Sequence, residues 1–332
     1  LVYDDLTPHQ VLAALDAVGL HGDGRILQLN SYENRVFQVF LEDGSAVVPK
    51  FYRPGRWSDA QILEEHAFAL ELAAAEVPVV APLALTGPPA QRTGLRLQGT
   101  PPTLAHWSGH RFAVAPRCAG REPELERHGT LERIGGFIGR LHAVGRRRPF
   151  EHRHRLDGAR DGRRAIELLL DGGFVPPEQL PAWRGAAEAA LDALAAAFGR
   201  AAPLATLRLH GDCHPGNVLW RDGPHLVDLD DAMQGPAVQD LWMLVSGDAR
   251  TMQAQLDELL GGYERFAPFD DRERVLIEPL RTLRMLRHSA WLAERWADPT
   301  FPLNFPFFGS AAYWSQQAAQ LREQVEAMDR AP

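Results

Sequence analysis

Residues 208–240 read RLHGDCHPGNVLWRDGPHLVDLDDAMQGPAVQD. They hold six of the chain's 43 acidic residues, three of its 13 histidines and one of its two cysteines, so polar chemistry is concentrated here. Two strand-like pieces, 217–220 and 225–228, flank Arg221-Asp222-Gly223-Pro224, and Asp-Gly is a two-residue hairpin turn signal. Folding about Asp222-Gly223 pairs Trp220 with His225, Leu219 with Leu226, Val218 with Val227 and Asn217 with Asp228. Opposed residues on one face of such a pair have Cβ atoms roughly 4.5–5.5 Å apart. An amide oxygen and a carboxylate therefore converge at the open end of the hairpin. A few hard oxygen ligands suit Mg²⁺, which fills its other positions with water and substrate phosphate.

His210-Gly211-Asp212 lies just upstream, with Asp212 five residues before Asn217. An Asp, an Asn at that spacing and a later Asp at the end of a strand match the layout of phosphoryl-transfer sites. In that layout the first Asp accepts the proton of the acceptor hydroxyl, and the Asn and the later Asp hold metal against phosphates. A polar loop between two core strands is the plainer reading of the same residues. Asp230 shares a strand face with Asp228 if the extension continues, which makes it a candidate auxiliary metal contact.

At these residues a resemblance emerges. His-Gly-Asp-x-x-x-x-Asn with the following Val-Asp resembles the aminoglycoside phosphotransferase and choline kinase group of protein-kinase-like enzymes. The longer string from His210 to Leu244 resembles more narrowly the bacterial stress response kinase A family. So do Ser31-Tyr32-Glu33-Asn34-Arg35-Val36, Lys50-Phe51-Tyr52-Arg53-Pro54, Ile62-Leu63-Glu64-Glu65-His66 and Arg295-Trp296-Ala297-Asp298-Pro299. The resemblance covers nearly the whole chain. It implies an α+β, bilobal protein-kinase-like fold: an N-terminal lobe over 1–116 with an antiparallel sheet plus helix, a connector near 116–120, and a mostly helical lobe over 117–332. It also implies an ATP- and Mg²⁺-dependent serine/threonine protein kinase that autophosphorylates and serves stress survival. A small-molecule hydroxyl kinase of the same fold, a metal-dependent hydrolase drawing on the His210–His214 cluster, and a non-catalytic kinase-like adaptor are the competing readings.

Composition bounds the alternatives. The 332 residues suffice for two lobes, and a hydrophobic share of 45% supports a sizeable core. A net charge of −8 argues against a nucleic-acid partner or a polybasic membrane contact. No apolar run approaches the roughly 18 residues of a membrane span. Cys118 and Cys213 are too few for a disulfide framework. No secretory signal is read near the first residue, which is Leu rather than Met, and a cytoplasmic location is the expectation.

Taken in order, Thr7-Pro8-His9-Gln10 opens a helix, with Thr as N-cap and Pro in the first turn. Strands are expected over 25–30, 35–42 and 46–52. The polar loop 31–34 sits where kinases cover the nucleotide phosphates. It carries no glycine, and by residues alone a hairpin turn accounts for it. Ser31 and Asn34 nonetheless offer donors to phosphate, and the resemblance places the ATP contact at Ser31. Lys50 lies among apolar neighbours on the third strand, where a charge needs a partner. Its role would be to hold the α- and β-phosphates, backed by a helix carboxylate. Ser58 and Gln61 form a capping box for that helix, expected over 59–75. It offers Glu64 and Glu65, of which the family analogy favours Glu65. Pro49 removes a strand donor and is expected at an unpaired position or a bulge.

A strand is expected over 78–85, a turn-rich stretch over 87–102 and a strand over 111–116. Cys118 would then lie beside the nucleotide. Helical spacing runs over 131–144, where Gly135, Gly136 and Gly139 would admit a second backbone, and over 182–198. Residues 145–164 read as a solvated, Arg- and His-rich connector. Asp240 opens a run expected as a buried helix, with a supporting role behind the catalytic loop or a simple N-cap as its readings. His210 is the other supporting candidate. Further helices are expected near 251–266, 271–296 and 310–328. Arg281, Arg284 and Arg287 read as a solvated, ion-paired face, and the aromatic residues from Trp291 to Trp314 as C-terminal packing.

Overall fold

The structure is a computed structural model that describes residue 3, residues 5–87 and residues 94–330. By packing, the chain divides into two compact units. One comprises Leu1–His154, Arg208–Met233 and Met243–Pro268; the other comprises Arg155–Leu207, Gln234–Trp242 and Phe269–Pro332.

The first unit begins with α1 (Pro8–Ala17), capped by the Thr7 side chain, which accepts from the Gln10 N–H. A six-stranded antiparallel sheet follows, from β1 (Gly22–Leu29), β2 (Arg35–Leu41), β3 (Ala46–Phe51), β4 (Arg96–Gln98), β5 (Leu104–Trp107) and β6 (His110–Pro116). Its order is β1-β2-β3-β6-β5-β4. Apolar side chains of α1, β2, β3 and β6, among them Val11, Leu15, Phe37, Val39, Phe51, Phe112 and Val114, make one core. Burial alternates along β3 as the pleat requires.

Pro49 takes its place in central β3 without a bulge. It lies opposite Val114 of β6, while the β2–β3 ladder lapses between Val39↔Val47 and Val36↔Lys50 and resumes in the same register. The missing donor is thus absorbed by a gap in one ladder. Helix α2 (Asp59–Ala74) starts at the Ser58–Gln61 capping box, with both reciprocal hydrogen bonds made.

Residues 78–85 are not a strand, contrary to expectation. They are extended, and Val80, Leu83 and Leu85 donate to carbonyls of Leu226, Val114 and Pro102. Only Val79 forms a bridge, to Leu226. Pro78 and Pro82 lack the N–H groups a continuous ladder would use. The turn-rich stretch 87–102 lies partly outside the described residues, and its described part contains β4.

Helix α3 (Thr130–Gly145) packs on α6 (Ala249–Tyr263). A Cβ at Gly135 would sit 1.9 Å from the Leu259 carbonyl oxygen, so this backbone approach tolerates no side chain.

The second unit is helical. It contains α4 (Gly158–Asp171), α5 (Leu180–Ala201), α7 (Ile277–Glu294), α8 (Thr300–Asn304) and α9 (Ala311–Arg330). Trp183, Leu286, Leu292, Phe301, Phe308 and Trp314 fill its core. The Trp183 indole donates to Gln317 at 2.7 Å. Helix α4 falls where a connector was expected: its Asp157 N-cap and apolar Ile166 and Leu169 outweigh the surrounding arginines. The segment around Asp240 forms two 3₁₀ turns, Ala237–Asp240 and Trp242–Leu244, rather than one helix. Among the described residues no helix is long and apolar enough to cross a membrane.

Candidate active site

The site lies within the first unit, on three pieces of chain. The first is the loop from Leu209 through the 3₁₀ turn Pro215–Asn217 to β8 (Val218–Trp220). The second is β9 (Pro224–Leu226) and the turn Leu229–Asp231. The third is the β1–β2 loop with β3 and α2.

The β8–β9 hairpin forms where it was expected, but one residue out of the expected register. The pairs are Val218↔Leu226, Leu219↔His225 and Trp220↔Pro224. A two-residue Asp-Gly turn of type I′ requires positive φ at both central residues. Neither Asp222 nor Gly223 has it. The loop instead holds three residues, and Pro224, which has no N–H to give, closes it. Beyond the named strands the Val227 N–H donates to the Asn217 carbonyl at 3.0 Å. Asp228 therefore lies one step past Asn217's partner, and a left-handed backbone turns the chain there (φ 60°). For a non-glycine residue that conformation costs energy and needs its surroundings to hold it.

His210 supplies part of that hold. It is wholly buried. Its Nδ1 accepts from the Asp212 N–H at 3.4 Å, and its Nε2 meets the Val227 carbonyl at 2.8 Å. An amide only donates and a carbonyl only accepts, so the proton is assigned to Nε2. One neutral ring thus ties the backbone of Asp212 to the residue preceding Asp228. Gly211 makes the turn between them, with φ +88° and no room for a Cβ beside the Asp231 carbonyl, 2.1 Å away.

Asn217 Nδ2 donates to the Asp212 carbonyl at 2.9 Å, which leaves its Oδ1 as the oxygen available to a ligand. The Asp212 carboxylate is partly exposed, with His214 Nε2 3.5 Å from Oδ2. His214 Nδ1 is occupied by the Gly216 N–H. Cys213 is fully buried. Among the described residues no group of three or more His, Cys, Asp or Glu side chains could hold a metal ion. Both ring nitrogens of His210 and Nδ1 of His214 are engaged within the loop and its neighbour instead.

The opposite side of the site is organised by Lys50. Its Nζ lies 3.3 Å from Asp230 Oδ1 and 3.5 Å from Asp228 Oδ1. Glu65 of α2 is buried behind it. Burial pushes the Glu65 carboxyl up to about 7, against the opposing pull of Lys50 and Arg153. Glu64 points elsewhere: its carboxylate accepts from the N–H groups of Glu151, His152 and Arg153. Of the two glutamates, only Glu65 is thus in Lys50's surroundings. The neighbouring His66 is pulled down to about 3, chiefly by burial, and lies between Tyr52 Oη (2.7 Å) and Thr103 Oγ1 (2.8 Å).

In the 31–34 loop the Asn34 N–H donates to Ser31 Oγ at 3.3 Å, and Tyr32 is exposed. Arg53 pins the loop through the carbonyls of Glu33 (3.0 Å) and Tyr32 (3.3 Å). The Asn34 side chain is committed at both ends, accepting from the Arg53 N–H and donating to Asp230.

Three residues of this network have no motif in the sequence. Arg56 pairs with Asp230 and, at 2.7 Å, with Asp231. Arg153 donates to the carbonyls of Asp230 and Ala232 and lies over the Trp57 ring. Arg208, almost fully buried, joins Glu71 (2.8 Å) to the end of α3 through the Val144 carbonyl (2.9 Å). The first two could be found only through partners 77 or more positions away. Asp240 belongs to the second unit, where it is fully buried. Cys118 is partly buried, in the connector that follows β6.

A carboxylate at the end of a tight loop, an amide oxygen, an exposed second carboxylate and a lysine make a set suited to a charged phosphate ester and a hydroxyl acceptor. Residues 25–277 match the model of the phosphotransferase enzyme family. The chain is 42% identical over 330 residues to stress response kinase A of Salmonella choleraesuis (strain SC-B67), a match covering 99% of this chain and 96% of that one. The same identity and coverage hold for the serine/threonine protein kinase RdoA of Salmonella typhimurium (strain LT2). Among solved structures, the amicoumacin kinase hAmiN, in complex with AMP-PNP, Ca²⁺ and Ami, is similar in fold. Its TM-score is 0.69 at 18% identity, covering 99% of this chain and 95% of that one. The chain therefore belongs to the phosphotransferase enzyme family and, within it, to the stress response kinase A group.

Proposed function

We propose that the protein is an ATP- and Mg²⁺-dependent serine/threonine protein kinase that autophosphorylates, acts in the cytoplasm in a stress response, and is built from lobes 1–116 and 117–332. The observation that carries the catalytic part is the His210 bridge. It fixes the Asp212 loop and the Asp228 turn against each other, while Asn217 is oriented by the Asp212 carbonyl. The protein-substrate part rests on the near full-length relatives.

Asp212 orients the acceptor hydroxyl and takes its proton as the hydroxyl oxygen bonds to the γ-phosphorus of ATP and the bond from that phosphorus to the β,γ-bridging oxygen breaks, releasing ADP. Lys50 and the Ser31 end of the loop hold the ATP phosphates, Glu65 backs Lys50, and Asn34 acts on the nucleotide from behind the loop. Asn217 Oδ1 and Asp228 would hold the metal ion. Two such oxygens are an incomplete shell, which fits Mg²⁺ completed by water and phosphate. The ion would neutralise charge developing on the transferred phosphoryl group.

The test follows the label. The purified protein is incubated with γ-labelled ATP and cell extract depleted of other kinases, then protein is separated from small molecules. Label on serine and threonine of protein supports the reading. Label confined to a small hydroxyl compound replaces it with the second reading, a small-molecule kinase, which the structural likeness to amicoumacin kinase favours.

A further inference from the structure

Asp230 lies two residues beyond Asp228 and is 3% exposed. Its Oδ1 faces Lys50 Nζ at 3.3 Å. Its Oδ2 accepts from Asn34 Nδ2 at 3.1 Å and from Arg56 Nη1. Its own carbonyl is held by Arg153. Through Asn34 the link continues to the Arg53 N–H (3.1 Å), and Arg53 grips the carbonyls of the 31–34 loop. Three separated pieces of chain, the loop over the phosphates, the strand bearing Lys50 and the turn bearing Asp228, thus meet on one carboxylate.

A buried charge cluster of this kind is a poor source of stability. Desolvation consumes most of its attraction, and apolar side chains of similar volume often serve as well. What it does provide is geometry, because each partner has a fixed direction to the same two oxygens. Two of its partners, Lys50 and Asn34, are residues proposed to act on the nucleotide. We propose that Asp230 is a positioning residue for phosphoryl transfer, setting the height of Lys50 and the closure of the 31–34 loop over ATP rather than ligating the metal. Both its oxygens are committed to protein donors, whereas Asp228, which meets Lys50 Nζ at 3.5 Å, keeps 55% of its side chain exposed toward a ligand. Arg56 stays on Oδ2 of Asp230 when Lys50 engages phosphate, so that the carboxylate and Asn34 stay in place.

The proposal rests on the ATP-kinase reading, and the experiment separates the two. Wild type, Asp230→Asn and the reciprocal swap Asn34→Asp/Asp230→Asn are compared by ATP binding, by steady-state transfer with ATP varied at saturating Mg²⁺, and by transfer with Mg²⁺ varied at saturating ATP. Asp230→Asn is expected to raise KM for ATP about tenfold or more, the scale of one lost charge-assisted contact, with at most a twofold change in half-saturating Mg²⁺. The reciprocal swap, which returns a carboxylate to the cluster, is expected to recover part of that loss. A general structural role would not give selective recovery. Should Asp230→Asn fail to fold, Asn34→Leu cuts the same link from the loop side and is expected to raise KM for ATP in the same direction. Unchanged KM for ATP in the folded variants, or a shift in Mg²⁺ dependence that exceeds the shift in KM, overturns the proposal. Failure of wild type to bind ATP overturns the underlying reading instead.

Discussion

Single side chains carry the chemistry, and their environments say how each will respond to change. Asp212→Ala removes the proposed proton acceptor and leaves the groups proposed to face ATP in place. Transfer should fall about 10²–10⁴-fold, the usual range for a general base, while equilibrium ATP binding stays within about twofold. Asp228→Ala should lower transfer comparably and also weaken binding of Mg·ATP, measured by isothermal titration. Glu65 makes a pH prediction. Its carboxyl is raised to about 7 in the folded protein from its ordinary 4.5, chiefly by burial, so the folded state holds the proton more tightly. That contribution to stability is fully present below about pH 4.5 and is lost as pH rises through about 7. Between those limits wild type should lose on the order of 3 kcal/mol relative to Glu65→Gln, read as converging and crossing urea midpoints in the ligand-free protein. A constant difference between the two across this range would remove Glu65 from Lys50's buried surroundings.

Secondary-structure elements set these residues in place, and glycine substitutions separate tight from loose packing. Gly135→Ala in α3 would drive a methyl group into the Leu259 carbonyl, and Gly185→Ala in α5 meets nothing within 4 Å. The first should destabilise by about 1–3 kcal/mol, as overpacking does. The second should stabilise by about 0.4–1 kcal/mol, because alanine restricts the unfolded chain. Paired thermal melts check both. Elements also mark the limit of what can be read from residue order. The Thr7 N-cap of α1, the capping box of α2 and the helical period of α3 were legible because their determinants are local. The β8–β9 hairpin was legible as an element, but its register was not. Register depends on backbone angles at Asp222 and Gly223 and on the missing N–H of Pro224, and a turn dipeptide suggests those without deciding them. Strands β4 and β5 are three and four residues long and follow proline- and glycine-rich sequence, which is too little for a period to show. Helix α4 was hidden by arginines on its polar face.

At the scale of the whole molecule, Asp212, Asn217, Asp228, Lys50 and Glu65 all fall in one compact unit, although about 90 positions separate the end of its sheet at Pro116 from the loop proposed as catalytic, which starts at Leu209. The motif residues could be grouped as one candidate site because their spacing is itself the signal. Arg56 and Arg153 were not, because their meaning lies in which distant carboxylate or carbonyl they meet. With Asn217 and Asp228 as the proposed metal ligands, Mg²⁺ alone should leave the melting temperature nearly unchanged. Mg²⁺ with ATP at 100 times its dissociation constant should add about 2.7 kcal/mol. A large stabilisation by metal alone would indicate a site the structure does not contain. The most direct measurement is phosphoryl transfer from γ-labelled ATP by purified wild type and Asp212→Ala, with ATP binding followed in the same samples. The predicted result is label on wild-type protein serine and threonine, with transfer by the variant reduced at least about 100-fold and ATP binding preserved. Wild-type transfer rates in Asp212→Ala would contradict the account.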